Sequence, residues 1–152
     1  MAWSNSKIFM SFFENAFENT NAVDLDTDTL KAALFDNTIT PDQTVATAAA
    51  AYLGGVWLTG PEVEDTTEWD AGGEPITSVA SGFSSNVYTF DAADTPSGGT
   101  SATLADVYGV LVYDSTTGSA GICYNYLGGV NSVTDGTFTI VWNGSGIFTV
   151  TA

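Results

Sequence analysis

Three groups of residues in this chain have types and spacings that could do chemistry. Asp24, Asp26 and Asp28 alternate through Val23-Asp24-Leu25-Asp26-Thr27-Asp28-Thr29. In an extended run the three carboxylates would share one face, and their mutual repulsion would favour a hard cation such as calcium. An EF-hand loop opening at Asp24 would need glycine at its sixth position and a bidentate acid at its twelfth, where Thr29 and Phe35 stand. That motif is excluded; a looser oxygen site stays open beside a plain turn with solvated carboxylates. The second group is Glu62, Glu64, Asp65, Glu68 and Asp70, with Trp57 and Trp69 close by in sequence. Two carboxyl groups suffice for glycoside hydrolysis, and the indoles could serve as sugar platforms. Yet these acids interleave with Gly, Pro and Trp without a period, and nothing in the pattern buries one to raise its pKa. A solvated loop explains them better than catalysis. The third is Cys123, whose solitude excludes an internal disulfide and a cysteine-built zinc site. Inside the apolar run Gly121-Ile122-Cys123-Tyr124 it reads as a buried thiol rather than a nucleophile.

Composition removes most other chemistries. The 152 residues carry 18 Asp and Glu against two Lys and Arg, with no His, for a net charge of −16. The two cations are Lys7 and Lys31. Displacing counterions from nucleic acid needs many more, so nucleic acid is excluded as a partner. Without His there is no imidazole base, and without Arg no guanidinium clamp. There is no glycine-rich phosphate loop, no Gly-x-Ser-x-Gly elbow and no paired aspartic-protease motif. No cofactor is expected. Hydrophobic residues make up 44% and aromatics 12%, which argues for a folded core rather than a self-solvating acidic tail. No run of about 18 apolar residues is present, so no membrane partner is expected, and the N-terminus does not read as a signal peptide.

The elements that would position these residues are mostly strands. Ser6 to Phe17 carries Ile8, Phe9, Phe12, Phe13 and Phe17 three and four apart, which predicts a helix. Leu30 to Phe35 predicts a short strand. Thr40-Pro41-Asp42-Gln43 has the cap, the first-turn proline and the capping-box partner of a second helix. Ala46 to Ala51 would extend it, with Val45, Ala48, Ala49 and Tyr52 as its buried face and Gly54-Gly55 as its stop. Residues 56–86 read as a long acidic surface excursion, with strand pieces near Ile76 to Ala80. Val87 to Phe90 predicts a strand and Asp94 to Gly99 a loop. Val107 to Tyr113, apolar at nearly every position, predicts a central strand covered on both faces, with Ala120 to Leu127 as its hairpin partner. Thr137 to Trp142 and Ile147 to Ala152 predict a last hairpin pairing Ile140 with Phe148 and Phe138 with Val150. Tyr108, Tyr113, Tyr124, Tyr126, Phe138 and Trp142 read as core packing. The whole predicts one mainly β domain over 1–152, an antiparallel β-sandwich or barrel-like fold with one or two short helices.

Three segments, in order, resemble structural proteins of tailed-bacteriophage virions. They are Val23 to Leu34 with the Thr-Pro-Asp at 40–42, Tyr108-Gly109-Val110-Leu111-Val112-Tyr113-Asp114, and Gly136 to Thr149. The resemblance implies a non-enzymatic capsid decoration (cement) or head-fibre protein, which bridges major capsid subunits on the outer surface of the shell. It also implies synthesis in the host cytoplasm and self-association, with trimers at capsid threefold positions as one form. A tail-associated or receptor-binding fibre component is the alternative, and a carboxylate-based carbohydrate-active enzyme is third. For docking, Phe9, Phe12, Phe13 and Phe17 are the first candidates, with residues 1–22 as an arm, unless that helix packs on its own sheet. Trp57 and Trp69 are the second. A −16 charge suits the solvent face of a shell better than a wall facing packaged DNA.

Overall fold

The computed structural model describes residues 3–152. Its elements run β1 (Lys7–Ile8), α1 (Met10–Glu18), β2 (Leu30–Phe35), α2 (Thr47–Ala50), β3 (Glu62–Val63), β4 (Glu74–Pro75), β5 (Ala80–Ser84), β6 (Val87–Asp91), β7 (Thr95–Pro96), β8 (Ala102–Asp114), β9 (Ala120–Gly136), β10 (Thr139–Ile140) and β11 (Phe148–Thr151). Over the described residues the fold is mainly β, antiparallel and sandwich-like, with two short helices and no closed barrel. A six-stranded sheet is ordered β1-β9-β8-β2-β3, with β4 also on β2; the smaller sheets are β11-β6-β5 and β10-β7.

The β8–β9 hairpin is the spine, and the sequence pattern explains it. Val110 and Val112 face one core while Leu111 and Tyr113 face the other, so the continuous apolar run is buried on both sides. Its register places Val112 opposite Cys123 and Tyr113 opposite Gly121. Strand β2 pairs with β8 from Leu30↔Asp114 to Phe35↔Gly109, and likewise divides Leu30, Ala32 and Leu34 from Ala33 and Phe35. The first core lies between this sheet and the two small ones, with Phe90, Phe148, Ile140, Trp142 and Trp69. The second lies under the N-terminal segment and α2, with Trp3, Phe9, Trp57 and Tyr124 packed edge-on or tilted. Two glycines permit that second layer. A Cβ on Gly109 would sit 2.3 Å from the Trp3 ring, and one on Gly121 would sit 2.1 Å from the Ala50 carbonyl oxygen.

Four local expectations are corrected. The first helix does not span Ser6 to Phe17: Lys7 and Ile8 pair with Tyr124 and Cys123, and the Phe9 amide donates to the Ile122 carbonyl, so edge pairing on β9 delays the helix to Met10. The capping box at Thr40 does not start a helix. Asp42 accepts the amide and hydroxyl of Thr44, and the Gln43 carbonyl accepts the Met10 amide, so α2 is a single turn from Thr47 whose buried residue is Ala50. Residues 56–86 are not a surface excursion. Trp57, Trp69 and Ile76 are buried, and β3 and β4 both pair with β2. Val56, Leu58 and the β5–β6 hairpin stay exposed, Phe83 at 84%. Finally, β10 and β11 do not pair with each other. Thr139 and Ile140 join β7, inside the expected 94–99 loop, while Phe148 to Thr151 join β6. The Ile147 amide donates to the Phe90 carbonyl, so the apolar residues on both sides of the Asn-Gly-Ser-Gly turn reach the core through different partners.

Candidate functional site

Helix α1 turns polar side chains inward beside Phe12. Its buried positions are Ser11 and Asn15, while Met10 is 53% and Phe17 85% exposed. Asn15 explains the inward polar stripe: its side chain exchanges hydrogen bonds with the Thr47 hydroxyl at 3.1 and 3.3 Å, locking α1 to α2. The helix ends at Asn19, which takes a left-handed conformation (φ 53°) and donates its amide to the Asn15 carbonyl. With Ser11 and Asn15 inward, Met10, Phe13 and Phe17 form a stripe on the outer side at i, i+3, i+7 spacing. Phe13 and Phe17 stack with centroids 6.3 Å apart.

The four phenylalanines named as docking candidates therefore separate. Phe9 is fully buried against Trp57 and Tyr124, and Phe12 is half-buried against Phe148. Phe17 is left exposed and Phe13 half-buried beside it, both lining a groove of about 640 Å³. Its other walls are Val23, Leu25 and the aspartates Asp24 and Asp26, with Tyr88 of β6 and Val150 of β11 across from the helix. Trp57 and Trp69 are corrected as contact residues and as sugar platforms. They are 1% and 0% exposed, Trp57 packing 5.1 Å from Phe35 and Trp69 5.8 Å from Phe138. Residues 1–22 are not a free arm over their described part, since Trp3, Phe9, Ser11 and Asn15 are buried and the Trp3 indole donates to the Asp36 carbonyl.

Asp24, Asp26 and Asp28 do not share a face, because the segment is a turn and not an extended run. Asp24 Oδ1 accepts the amides of Asp26 and Thr27, and Asp28 Oδ2 accepts the amide of Asp24. Asp26 accepts the Ser81 hydroxyl. The Thr27 hydroxyl, with the Asp26 amide, holds the Asp24 carboxyl below its usual range. Among the described residues no three acidic or thiol side chains converge as a metal-ligand set.

The same local chemistry recurs at four further aspartates. In Asp36-Asn37-Thr38, Asp42-Gln43-Thr44 and Asp65-Thr66-Thr67 the aspartate accepts both the amide and the hydroxyl of the threonine two residues on. Asp114, fully buried, accepts the amides of Thr116 and Thr117 in the β8–β9 turn. Asp65 also accepts the Thr103 amide, the largest influence lowering its pKa, and so ties its loop to β8.

One acid is set differently. Glu62 Oε1 accepts the Gly72 amide at 2.7 Å and Oε2 accepts the Tyr52 hydroxyl at 2.8 Å. The Gly72 carbonyl in turn accepts the Tyr113 hydroxyl at 2.6 Å, and the two tyrosine rings stack at 4.8 Å. Burial raises the Glu62 carboxyl above its usual range, and burial also pushes the Tyr113 phenol up to about 12. This network holds β3 and the 72–73 turn over β2 and β8. Glu74 is also raised, by burial first and then by Asp70. Cys123 is buried as expected, and its burial raises the thiol pKa, which keeps it protonated and inert.

The sequence reading missed the inward Ser11–Asn15 pair, for which their four-residue spacing was a usable signal. It also missed the repeated Asp-x-Thr turns, written openly in the chain. The Glu62–Tyr52–Tyr113 network has no local signal, because only the sheet brings those residues together. No protein-family model, curated protein or solved structure matches the chain.

Proposed function

We propose that this chain is a non-enzymatic structural protein of a tailed-phage virion, which decorates and stabilises the outer surface of the capsid by bridging major capsid subunits. The observation that carries the non-enzymatic part is how the acids are used. Asp24, Asp36, Asp42, Asp65 and Asp114 accept hydrogen bonds within turns, and Glu62 ties a loop to a tyrosine. They act as staples of a rigid β scaffold, where a catalytic pair would present one protonated and one ionised carboxyl across an open cleft.

The virion part is supported by the three segments that resemble virion proteins and by the charge. A surface with a net charge of −16 resists self-aggregation at high local density and is repelled by packaged DNA, which suits the outside of a shell. Decoration through many equivalent sites needs only modest area per site. Quantifying this protein in purified virions tests the reading. On the order of hundreds of copies per particle fits a head protein. A number that fits only a tail places it with the tail-associated alternative, and absence from particles overturns the proposal.

A further inference from the structure

The exposed apolar surface of α1 calls for a partner. A helix that packs only on its own sheet turns its apolar stripe inward, yet α1 buries Ser11 and Asn15, leaves Met10 and Phe17 exposed and covers Phe13 only in part. The apolar surface does not stop at the helix. On the small sheet, Val150 of β11 lies opposite Tyr88 of β6, and Tyr88 lies opposite Phe83 of β5. Tyr88 and Val150 line the groove beside Phe13 and Phe17, so this cross-strand row carries it outward to the 84% exposed Phe83.

The charge around the groove is of one sign. Asp24 and Asp26 stand on its wall, both exposed, and Glu14 lines the hollow on the other side of Phe13 and Phe17. The chain's two cations are elsewhere. Lys7 lines a separate hollow with Cys123 and Phe148, and Lys31 lies near Glu62 and Glu74 on β2.

We infer that the Met10–Phe13–Phe17 stripe and its adjoining groove form an interaction surface for a partner protein segment whose apolar side chains are flanked by lysine or arginine. A second copy of this chain is a poor occupant, since it would bring another −16 and only two cations of its own. Apolar side chains would fill the groove between α1 and the small sheet, and the flanking cations would meet Asp24, Asp26 and Glu14. The inference stands on the surface itself and does not depend on the virion reading.

The test uses the full chain and two synthetic peptide sets of about fifteen residues, with identical apolar residues at helical or alternating spacing. One set is flanked by lysine and the other by glutamate. Binding is followed by amide chemical shifts and by titration at low and high salt, with sedimentation of the chain alone. The expected result is saturable binding by a lysine-flanked peptide, shifts at residues 13–18, 24–26, 88 and 150, and weakening with salt. Phe17→Glu should reduce affinity by roughly tenfold or more. Asp26→Asn, which can still accept the Ser81 hydroxyl, should reduce it by a few fold. Both variants should keep the wild-type melting temperature, because both positions are exposed. The inference is overturned if neither peptide set shifts those residues, if both sets bind equally, or if binding survives Phe17→Glu. It is also overturned if the chain dimerises alone and Phe17→Glu abolishes the dimer.

Discussion

Replacing Glu62 by alanine and by glutamine separates a structural staple from a dispensable surface acid. In Glu62→Ala the Gly72 amide and the Tyr52 hydroxyl lose their acceptor. Hydrogen bonds to a charged group contribute about 1.5–3 kcal/mol each. Gly72 is buried, so its amide has little access to replacement water, whereas Tyr52 is half-buried and its hydroxyl can find some. The expected loss is therefore about 2–4 kcal/mol in all, below the sum of two full bonds. For a domain of this size that lowers the melting temperature by about 4–16 °C. In Glu62→Gln the Oε1 atom still accepts the Gly72 amide, and the Tyr52 hydroxyl can rotate to accept from Nε2. The burial penalty on the charge disappears, so stability at neutral pH should stay within about 1 kcal/mol of wild type. Urea unfolding followed by fluorescence of the buried tryptophans measures both variants. Burial raises the wild-type Glu62 pKa, so above 4.5 the folded chain holds more protons than the unfolded one and stability falls as pH rises. The glutamine variant should flatten that limb. Equal damage from both variants, or an alanine variant within about 0.5 kcal/mol of wild type, would refute the staple.

Gly121→Ala should destabilise by about 3 kcal/mol or prevent folding, because its Cβ would lie 2.1 Å from the Ala50 backbone oxygen, which cannot move aside like a side chain; near-wild-type urea stability would contradict the close approach of α2. The whole chain should be most stable in mild acid. Raised Glu62 and Glu74 make stability fall as pH rises above 4.5, and lowered Asp24, Asp42 and Asp65 make it fall as pH drops below 3.8. Thermal melts at low protein concentration across pH 3–8 would show this, and a maximum at neutral pH would contradict it. Millimolar calcium or a chelator should move the melting temperature by less than about 1 °C at constant ionic strength, since the Asp24 and Asp28 carboxylates are occupied by turn amides. A clear upward shift with calcium would restore the ion site.

The parts of the fold legible in the sequence were those set by a single dominant pattern. Val107 to Tyr113 is apolar on both faces, and a central position in a covered sheet satisfies it, while Leu30 to Phe35 was legible as a short strand. Elements failed to match where a local signal competed with a long-range partner. The Thr40 capping box lost to Asp42 bonding Thr44 and to Met10 claiming the Gln43 carbonyl. The last hairpin lost because β6 and β7 offered Phe148 and Ile140 better-buried partners than each other. Trp57 and Trp69 were assigned to the surface on the acidity of their neighbours, although indoles of that size dominate cores. At the candidate docking surface the phenylalanines were legible but their directions were not. Which face of α1 turns inward depends on the Asn15–Thr47 pair, and those residues lie 32 positions apart.

We propose that this acidic β domain sits on the outside of a capsid. A reconstruction of purified particles tests it most directly. The account predicts density for a 15.8 kDa sandwich-like domain on the outer shell, contacting more than one major capsid subunit. Density for this chain confined to the tail, on the inner wall facing DNA, or missing from the particle would contradict it.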